Sequence, residues 1–537
     1  MRAATLSGPR PAPGRAVSRL TVRQLRFGAV AVALICGGMS ALAASQYKPI
    51  SNILDTSALR ALSENPAIRI LSGPPVALDD PGGFTVWRTG LPLSLFASLW
   101  IVLAATRISR GEEDAGRWDL LLAGRLHMPD VMVRCLAALG GSAALIGAAV
   151  AAGLLAARTG PTGALIHATG IAGVALTFAT TALLAAQVMS TRAGATGLAA
   201  AALGASVLMR MVADGSHRLA WLAWATPFGL TSRAAPYADN RILPLIVLGA
   251  FPIVVGAAAL FAARHRDLGD GVVAARDRRR PRVRLLHSVF GFALRRSRRI
   301  TLWWTTGVAI YFFFIGATLA WLLELFRTNR RFAELAAAAG LGGHNLANVF
   351  AAALFGFLAV IAGLYCAMRL TLMVHDERAG RWTLLLAQPI TRLRVMSAEI
   401  IVTAGGVVAL HLSAAIALWG GAILTGAPLQ LSHAVAGALN SVPVALLAVG
   451  TAAVGAGWWP SATIAIGALP VVAGFGVNLV VQSAKPPGWV VNLSPMAHLA
   501  PVPDAPPNWV ATAVFLLVGA ILAGLGVAGY VQRDLTM

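Results

Sequence analysis

Glu113, Gly116, Arg117 and Trp118 recur with the same spacing as Glu377, Gly380, Arg381 and Trp382, an offset of 264 residues (377 − 113) in a chain of 537. The following Asp119-Leu120-Leu121-Leu122-Ala123 returns as Thr383-Leu384-Leu385-Leu386-Ala387. These residue types do recognition chemistry rather than catalysis. If Trp118 to Ala123 is helical, Trp118, Leu121 and Leu122 share one face at i, i+3 and i+4, and Trp382, Leu385 and Leu386 repeat it. Glu113 and Glu377 precede each helix, where negative charge suits the N-terminal dipole. A Trp flanked by Arg is a common interface anchor. The plainer alternative is a helix lying on a bilayer with Trp among the headgroups.

Other chemistry is largely excluded. A P-loop places a lysine on nucleotide phosphates within G-x-x-x-x-G-K-[ST]. No such motif occurs, and the only two lysines, Lys48 and Lys485, fall outside the gaps expected on the cytoplasmic side. ATP hydrolysis by this chain through a P-loop is therefore excluded. Cys36, Cys135 and Cys366 lie within or at the ends of apolar runs, and their spacing suits neither a metal site nor a disulfide framework. Glu324 and Glu399 stand at expected span ends, and no carboxylate falls mid-membrane, whereas proton- or sodium-coupled carriers usually keep an acid there. His411, near the middle of the ninth apolar run, is the exception. It reads first as a hydrogen-bonded packing residue, with a proton relay as the alternative.

The elements that must position these residues are membrane helices. The chain is 57% hydrophobic and 12% charged, with a mean hydropathy of +0.73; a soluble chain carries about 25% charge. Apolar runs fall at roughly 27–44, 91–108, 132–156, 164–189, 194–212, 243–263, 300–323, 347–373, 398–425, 431–456, 461–483 and 509–530. The net charge of +22 does not mark a nucleic-acid binder. Most of the 43 Lys+Arg fall in the N-terminus and the even-numbered gaps, which the positive-inside rule places in the cytoplasm with both termini. The densest run, Arg276 to Arg284 with Arg295, Arg296, Arg298 and Arg299, lies in the middle linker beside membrane, where it meets anionic lipid. Arg19, Arg23 and Arg26, then an apolar stretch and Ala41-Leu42-Ala43, mimic a signal peptide; the long apolar core favours an uncleaved first span.

The duplication extends further. Arg266-Asp267-Leu268 after span six matches Arg533-Asp534-Leu535 after span twelve, Thr226-Pro227-Phe228 matches Ser494-Pro495-Met496, and His167 and His433 open spans four and ten. Six spans per half make a parallel repeat. The expected fold is an all-α polytopic membrane protein of about twelve transmembrane helices, divided into a first half (1–270), a basic linker with an amphipathic helix (271–299) and a second half (300–537). Each half opens with an Arg-studded amphipathic stretch, Val17 to Phe27 and Val283 to Arg299, suited to a helix in the interface or to the first turns of the next span. The 45–90 gap holds an expected short helix near 52–65, followed by Pro- and Gly-rich turns.

These residues resemble a family. Two halves of six spans, the acidic-Gly-Arg-Trp-Leu-Leu-Leu-Ala element after span two and the amphipathic lead-in helix are similar to ABC-2 type permeases. The fused twelve-span actinobacterial permeases, exporters of polyketide antibiotics and other drugs, resemble it more closely. Residues 232–241 and Arg266-Asp267-Leu268-Gly269 share that likeness, and Gln388-Pro389-Ile390-Thr391-Arg392 ends the second element as many such permeases do. The resemblance implies a subunit of the bacterial cytoplasmic membrane that binds no cofactor itself. ATP and Mg would be held by two copies of a separate ABC ATPase. The two repeated elements would be coupling helices docking into those ATPases. Phe96, Trp100, Met209, Phe355, Tyr365 and Asn478, on spans two, five, eight and eleven, would flank the route of a hydrophobic or amphipathic substrate, with His411 nearby. The first element departs from the pattern: Gly124-Arg125-Leu126-His127 replaces the Gln-Pro-Ile-Thr ending, so its ATPase contact need not equal the second.

Major facilitator carriers, which would be proton-coupled drug carriers, also combine six and six spans with a G-x-x-x-D-R-x-G-R-[RK] loop. Glu377 to Trp382 comes near it, but Trp382 stands where a basic residue belongs and Met373 where the first Gly belongs. An ABC permease for a lipid or envelope precursor fits the apolar spans as well as a drug exporter does.

Overall fold

The computed structural model describes residues 13–47, 64–124, 126–266, 285–338, 345–484, 488–492 and 494–534. The described residues are mostly helical, with no strand among them. Eleven helices are long and apolar enough to cross a membrane, so the chain is a multi-pass membrane protein. The remaining expected span falls on a 22-residue helix, Thr463–Ala484, of which Thr463–Phe475 is the described apolar part.

The chain divides into two compact units, Met1–Arg279 and Arg280–Met537. In the first, the helices are α1 (Pro13–Ser45), α2 (Pro66–Ser72), α3 (Pro81–Ile108), α4 (Arg110–Asp114), α5 (Arg117–Leu122), α6 (Met128–Ala156), α7 (Pro161–Val188), α8 (Arg192–Gly215), α9 (Pro227–Arg233) and α10 (Leu243–Arg264). In the second they are α11 (Val289–Thr328), α12 (Arg330–Ala338), α13 (Leu346–Arg378), α14 (Thr383–Leu386), α15 (Arg392–Leu424), α16 (Leu431–Trp458), α17 (Thr463–Ala484), α18 (Gly488–Asn492) and α19 (Trp509–Gln532). The expected helix near 52–65 lies almost wholly outside the described residues.

Both units pair their helices alike. In the first, α1 packs on α6, α3 on α7 and α7 on α10; in the second, α11 packs on α15, α13 on α16 and α16 on α19. Small residues permit the closest crossings. A Cβ on Gly153 would lie 2.2 Å from the Gly37 carbonyl oxygen, and one on Gly316 would lie 2.1 Å from that of Leu418. Lipid tails are as apolar as Leu, so membrane helices gain most where small residues let backbones approach.

The amphipathic lead-in stretches are not separate elements; they form the opening turns of α1 and α11. These helices have 33 and 40 residues, about 50 and 60 Å at 1.5 Å per residue, well beyond a hydrocarbon core of about 30 Å. No proline interrupts either helix, so nothing local breaks the chain where polar turns give way to apolar ones. Ser288 caps α11 by accepting from Gly291 N–H at 3.0 Å.

Candidate functional site

The repeated segment lies at the end of α3 in the first unit and of α13 in the second. Ser109 interrupts the first helix at φ −104° and ψ −94°, and its hydroxyl donates to the Ala105 carbonyl at 2.6 Å. A serine that bonds its own preceding turn competes with the helix ladder. Met373 stands at the same repeat position (109 + 264), and there α13 runs unbroken to Arg378. Beyond it the copies converge. Gly116 and Gly380 adopt φ +68° and +71°, the left-handed region that favours glycine. They turn the chain into the short helices α5 and α14. His127 and Thr391, again 264 apart (391 − 127), then cap α6 and α15.

Charge holds the segment in place. In the first unit Glu113, 8% exposed, accepts from Arg266 Nη1 at 2.8 Å and Nη2 at 2.7 Å, with Arg110 Nη1 at 3.1 Å. Arg266 also donates to Gln187 Oε1 at 3.0 Å. Arg110 donates to the Ser190 carbonyl at 2.7 Å, and Asp114 accepts from the Arg192 backbone N–H at 2.8 Å, so the α7–α8 turn is fastened too. Glu112 accepts from Arg117 Nε at 2.5 Å and Nη2 at 2.8 Å across the Gly116 turn, and from Gln24 of α1 at 3.2 Å. The Glu112 carboxylate holds the Arg117 guanidinium above its ordinary, already high value, so the cation persists at physiological pH.

The second unit repeats three of these contacts: to the end of the last span, across the glycine turn and to the lead-in helix. Glu377 is paired with Arg533 just beyond α19. Asp376, at the position of Glu112, accepts from Arg381 Nη1 at 2.7 Å and from Arg296 Nη1 of α11 at 2.9 Å. The last span, the lead-in helix and the repeat segment thus meet through the same two acids in both units.

The tryptophans turn inward. Trp118 is 2% and Trp382 3% exposed. Trp118 joins the core of its unit, with Leu121 and Leu122 packed against it. Trp382 sits among Leu370, Met373, Val395, Met396 and Tyr530, with Leu385 alongside, and the Arg296 guanidinium lies 4.9 Å over its ring. The side chain of Leu386 is outside the described residues. The face expected to meet a partner therefore anchors the segment to its own unit. A six-residue helix can bury one stripe only, and the stripe of greatest apolar area goes inward. The outward face carries Arg117 and Asp119 in one copy, and Arg381, Thr383, Gln388 and Pro389 in the other.

The copies differ beneath this surface. In the second unit Glu399 is 1% exposed and bridges Arg369 Nη2 at 2.9 Å and Arg296 Nη2 at 2.8 Å. The matching first-unit positions are Ala105 (369 − 264) and Cys135 (399 − 264), both buried.

Within each unit the residues expected along a substrate route stand in different surroundings. Phe96 and Met209 are exposed, and Trp100 lies partly buried beside α1, its indole nitrogen 2.7 Å from where a Cβ on Gly28 would be. Phe355 is buried and stacks on Phe312 with ring centres 6.0 Å apart. Tyr365 is buried and shares a 2.8 Å hydrogen bond with Thr301. His411 is fully buried, its Nδ1 2.8 Å from the Val407 carbonyl one turn back, which is a packing arrangement. Asn478 lies on α17, and its side chain is outside the described residues. Among the described residues no cluster of His, Cys, Asp and Glu suits a metal ion.

The chain is thus a multi-pass helical protein with a fastened, charged segment at the same place in each of two units. Comparison with known proteins agrees. Residues 286–531 match the family model described as the C-terminal domain of the multidrug efflux system permease Rv1217c. The chain is also 27% identical over 497 residues to the multidrug efflux system permease protein Rv1217c of Mycobacterium tuberculosis (strain ATCC 25618 / H37Rv), covering 89% of this chain and 86% of that protein. Both findings support the resemblance to drug efflux permeases.

Proposed function

We propose that this chain is the membrane-spanning subunit of an ATP-driven exporter, working with two copies of a separate ABC ATPase that hold the ATP and Mg. It lies in the bacterial cytoplasmic membrane with both termini in the cytoplasm, and moves a hydrophobic or amphipathic compound such as a drug outward. The observation that carries this reading is the twofold recurrence of one anchored segment. In each unit the acids just ahead of a short helix are fastened by an ion pair to the end of the last span and by a hydrogen bond to the lead-in helix. A surface that receives force needs such anchoring; a helix merely resting on lipid does not. Its outward face offers Arg117 and Asp119 in one unit and Arg381 and Thr383 in the other, a polar surface suited to a protein cleft.

The test is co-purification with candidate ABC ATPases, followed by ATP-dependent efflux in reconstituted vesicles. Arg117→Glu and Arg381→Glu are expected to weaken ATPase association. Drug transport by the chain alone, driven by a proton gradient with no ATPase present, would overturn the proposal.

A further inference from the structure

At the end of the first unit opposite the repeat segment, α2, α3, α7, α8 and α9 enclose a cavity of about 60 Å³. Val86, Trp87, Gly90 and Ser94 line it from the start of α3, Gly90 lying some 27 Å along that helix from its end at Ile108, at 1.5 Å per residue. The volume sits far below the 300–1,000 Å³ or so of drug-sized pockets, so this is not a drug site.

The polar wall is cationic. Arg210 and His167 line the cavity and are 2% and 5% exposed. Arg210 Nε holds Asp214 Oδ2 at 2.6 Å. Its Nη2 fits against Gly73, where a Cβ would lie 2.2 Å from that nitrogen. Arg210 Nη1 and His167 Nε2 have no hydrogen-bond partner among the described residues. Arg69 and Arg233 also act electrostatically on Asp214, so the local balance of charge is cationic. A buried cation is costly unless paired, and a buried N–H unmatched by an acceptor costs about 1–3 kcal/mol.

We propose that this cavity binds a small monoanion, a halide or a short carboxylate, between Arg210 Nη1 and His167 Nε2, with the imidazole in the tautomer that carries its proton on Nε2. The anion would balance the excess guanidinium charge and take both free donors. It would also pin the loop at Gly73, to which Trp87 Nε1 donates at 3.2 Å, against α7 and α8.

The test uses the purified full chain in detergent at constant ionic strength. Thermal unfolding is followed while sodium gluconate, whose anion is too large for the cavity, is replaced by sodium bromide or sodium acetate. The expected result is a saturable rise in Tm with bromide, acetate or both, absent in gluconate alone. His167→Phe should weaken the half-saturation about tenfold, the loss of one hydrogen bond; Arg210→Gln should abolish it. An anomalous bromide peak in reach of Arg210 and His167, in crystals of the unaltered protein, needs no variant to fold. A Tm response that does not saturate, one that persists in both variants, or a bromide response without bromide density in the cavity each overturn the assignment.

Discussion

Arg266 grips Glu113 through two hydrogen bonds, Nη1 to Oε1 at 2.8 Å and Nη2 to Oε2 at 2.7 Å, across 153 residues of sequence. Arg533 holds Glu377 across 156 residues. Both pairs join the end of a unit's last span to the helix leading into its repeat segment. A two-pronged pair fixes orientation as well as distance, so the segment and the last span are held to move as one piece.

Removing one partner should be worse than removing both. Arg266→Ala takes from the buried Glu113 its two-pronged partner and leaves it Arg110 at 3.1 Å, and Glu113→Ala takes from Arg266 its carboxylate; each is expected to cost about 3 kcal/mol, whereas the double variant costs less. Unfolding temperatures of the two singles and the double, read as a double-mutant cycle, measure this. Arg533 and Glu377 should give a cycle of the same sign.

The two glycines at positive φ offer a backbone test with little steric confusion. A Cβ on Gly116 or Gly380 would meet nothing closer than 3.7 or 3.8 Å, so Gly→Ala strains the backbone alone, by about 1–2 kcal/mol. Gly116→Asn and Gly380→Asn, which tolerate the left-handed region better, should lose less. Stability of the four variants against the parent decides it.

Trp118→Ala and Trp382→Ala should act first on stability, by about 3–5 kcal/mol each, because both rings are buried in their own units. Thr383→Glu and Gln388→Glu, on the outward face, should leave Tm within about 1 °C and weaken ATPase association. Equal loss of association by all four at unchanged Tm would show the tryptophans to be surface contacts instead.

Glu399→Ala alone strands Arg369 in the core and is expected to cost about 3–5 kcal/mol. Arg369→Ala with Glu399→Cys installs the first-unit pair, Ala105 and Cys135, and leaves Arg296 its partner Asp376. That double variant should be more stable than the single, which the same unfolding assay reads.

Much of this fold was legible in sequence because hydropathy alone marks membrane helices and a 264-residue offset exposes the duplication. Glu113, Arg266 and their second-unit counterparts were each visible as repeated residues. Their pairing was not, since contacts more than 150 residues apart leave no local pattern; near-equal separation of the same two residue types in both halves was the available signal. The face of Trp118 and Trp382 was misread for a related reason. An amphipathic pattern says that one stripe is apolar, not whether that stripe meets a partner or the helix's own unit. Glu112 and Asp376 escaped notice because acids beside a membrane helix end look like ordinary solvated charge. Arg210 and Asp214 did so because a pair spaced i, i+4 is usually a surface bridge.

Helix α1 touches both ends of the first unit. Gln24, a third of the way along it, donates to Glu112, and Tyr47, two residues past its end, donates to the Leu78 carbonyl at 2.8 Å, in the loop that leads to α3. One unbroken rod thus spans the thickness of the unit like a tappet. Whatever tilts it at one end does work at the other, and thermodynamic reciprocity then applies. An anion that favours one tilt through the Gly73 to Leu78 loop would change the affinity for a docked ATPase by the same factor by which the ATPase changes the affinity for the anion.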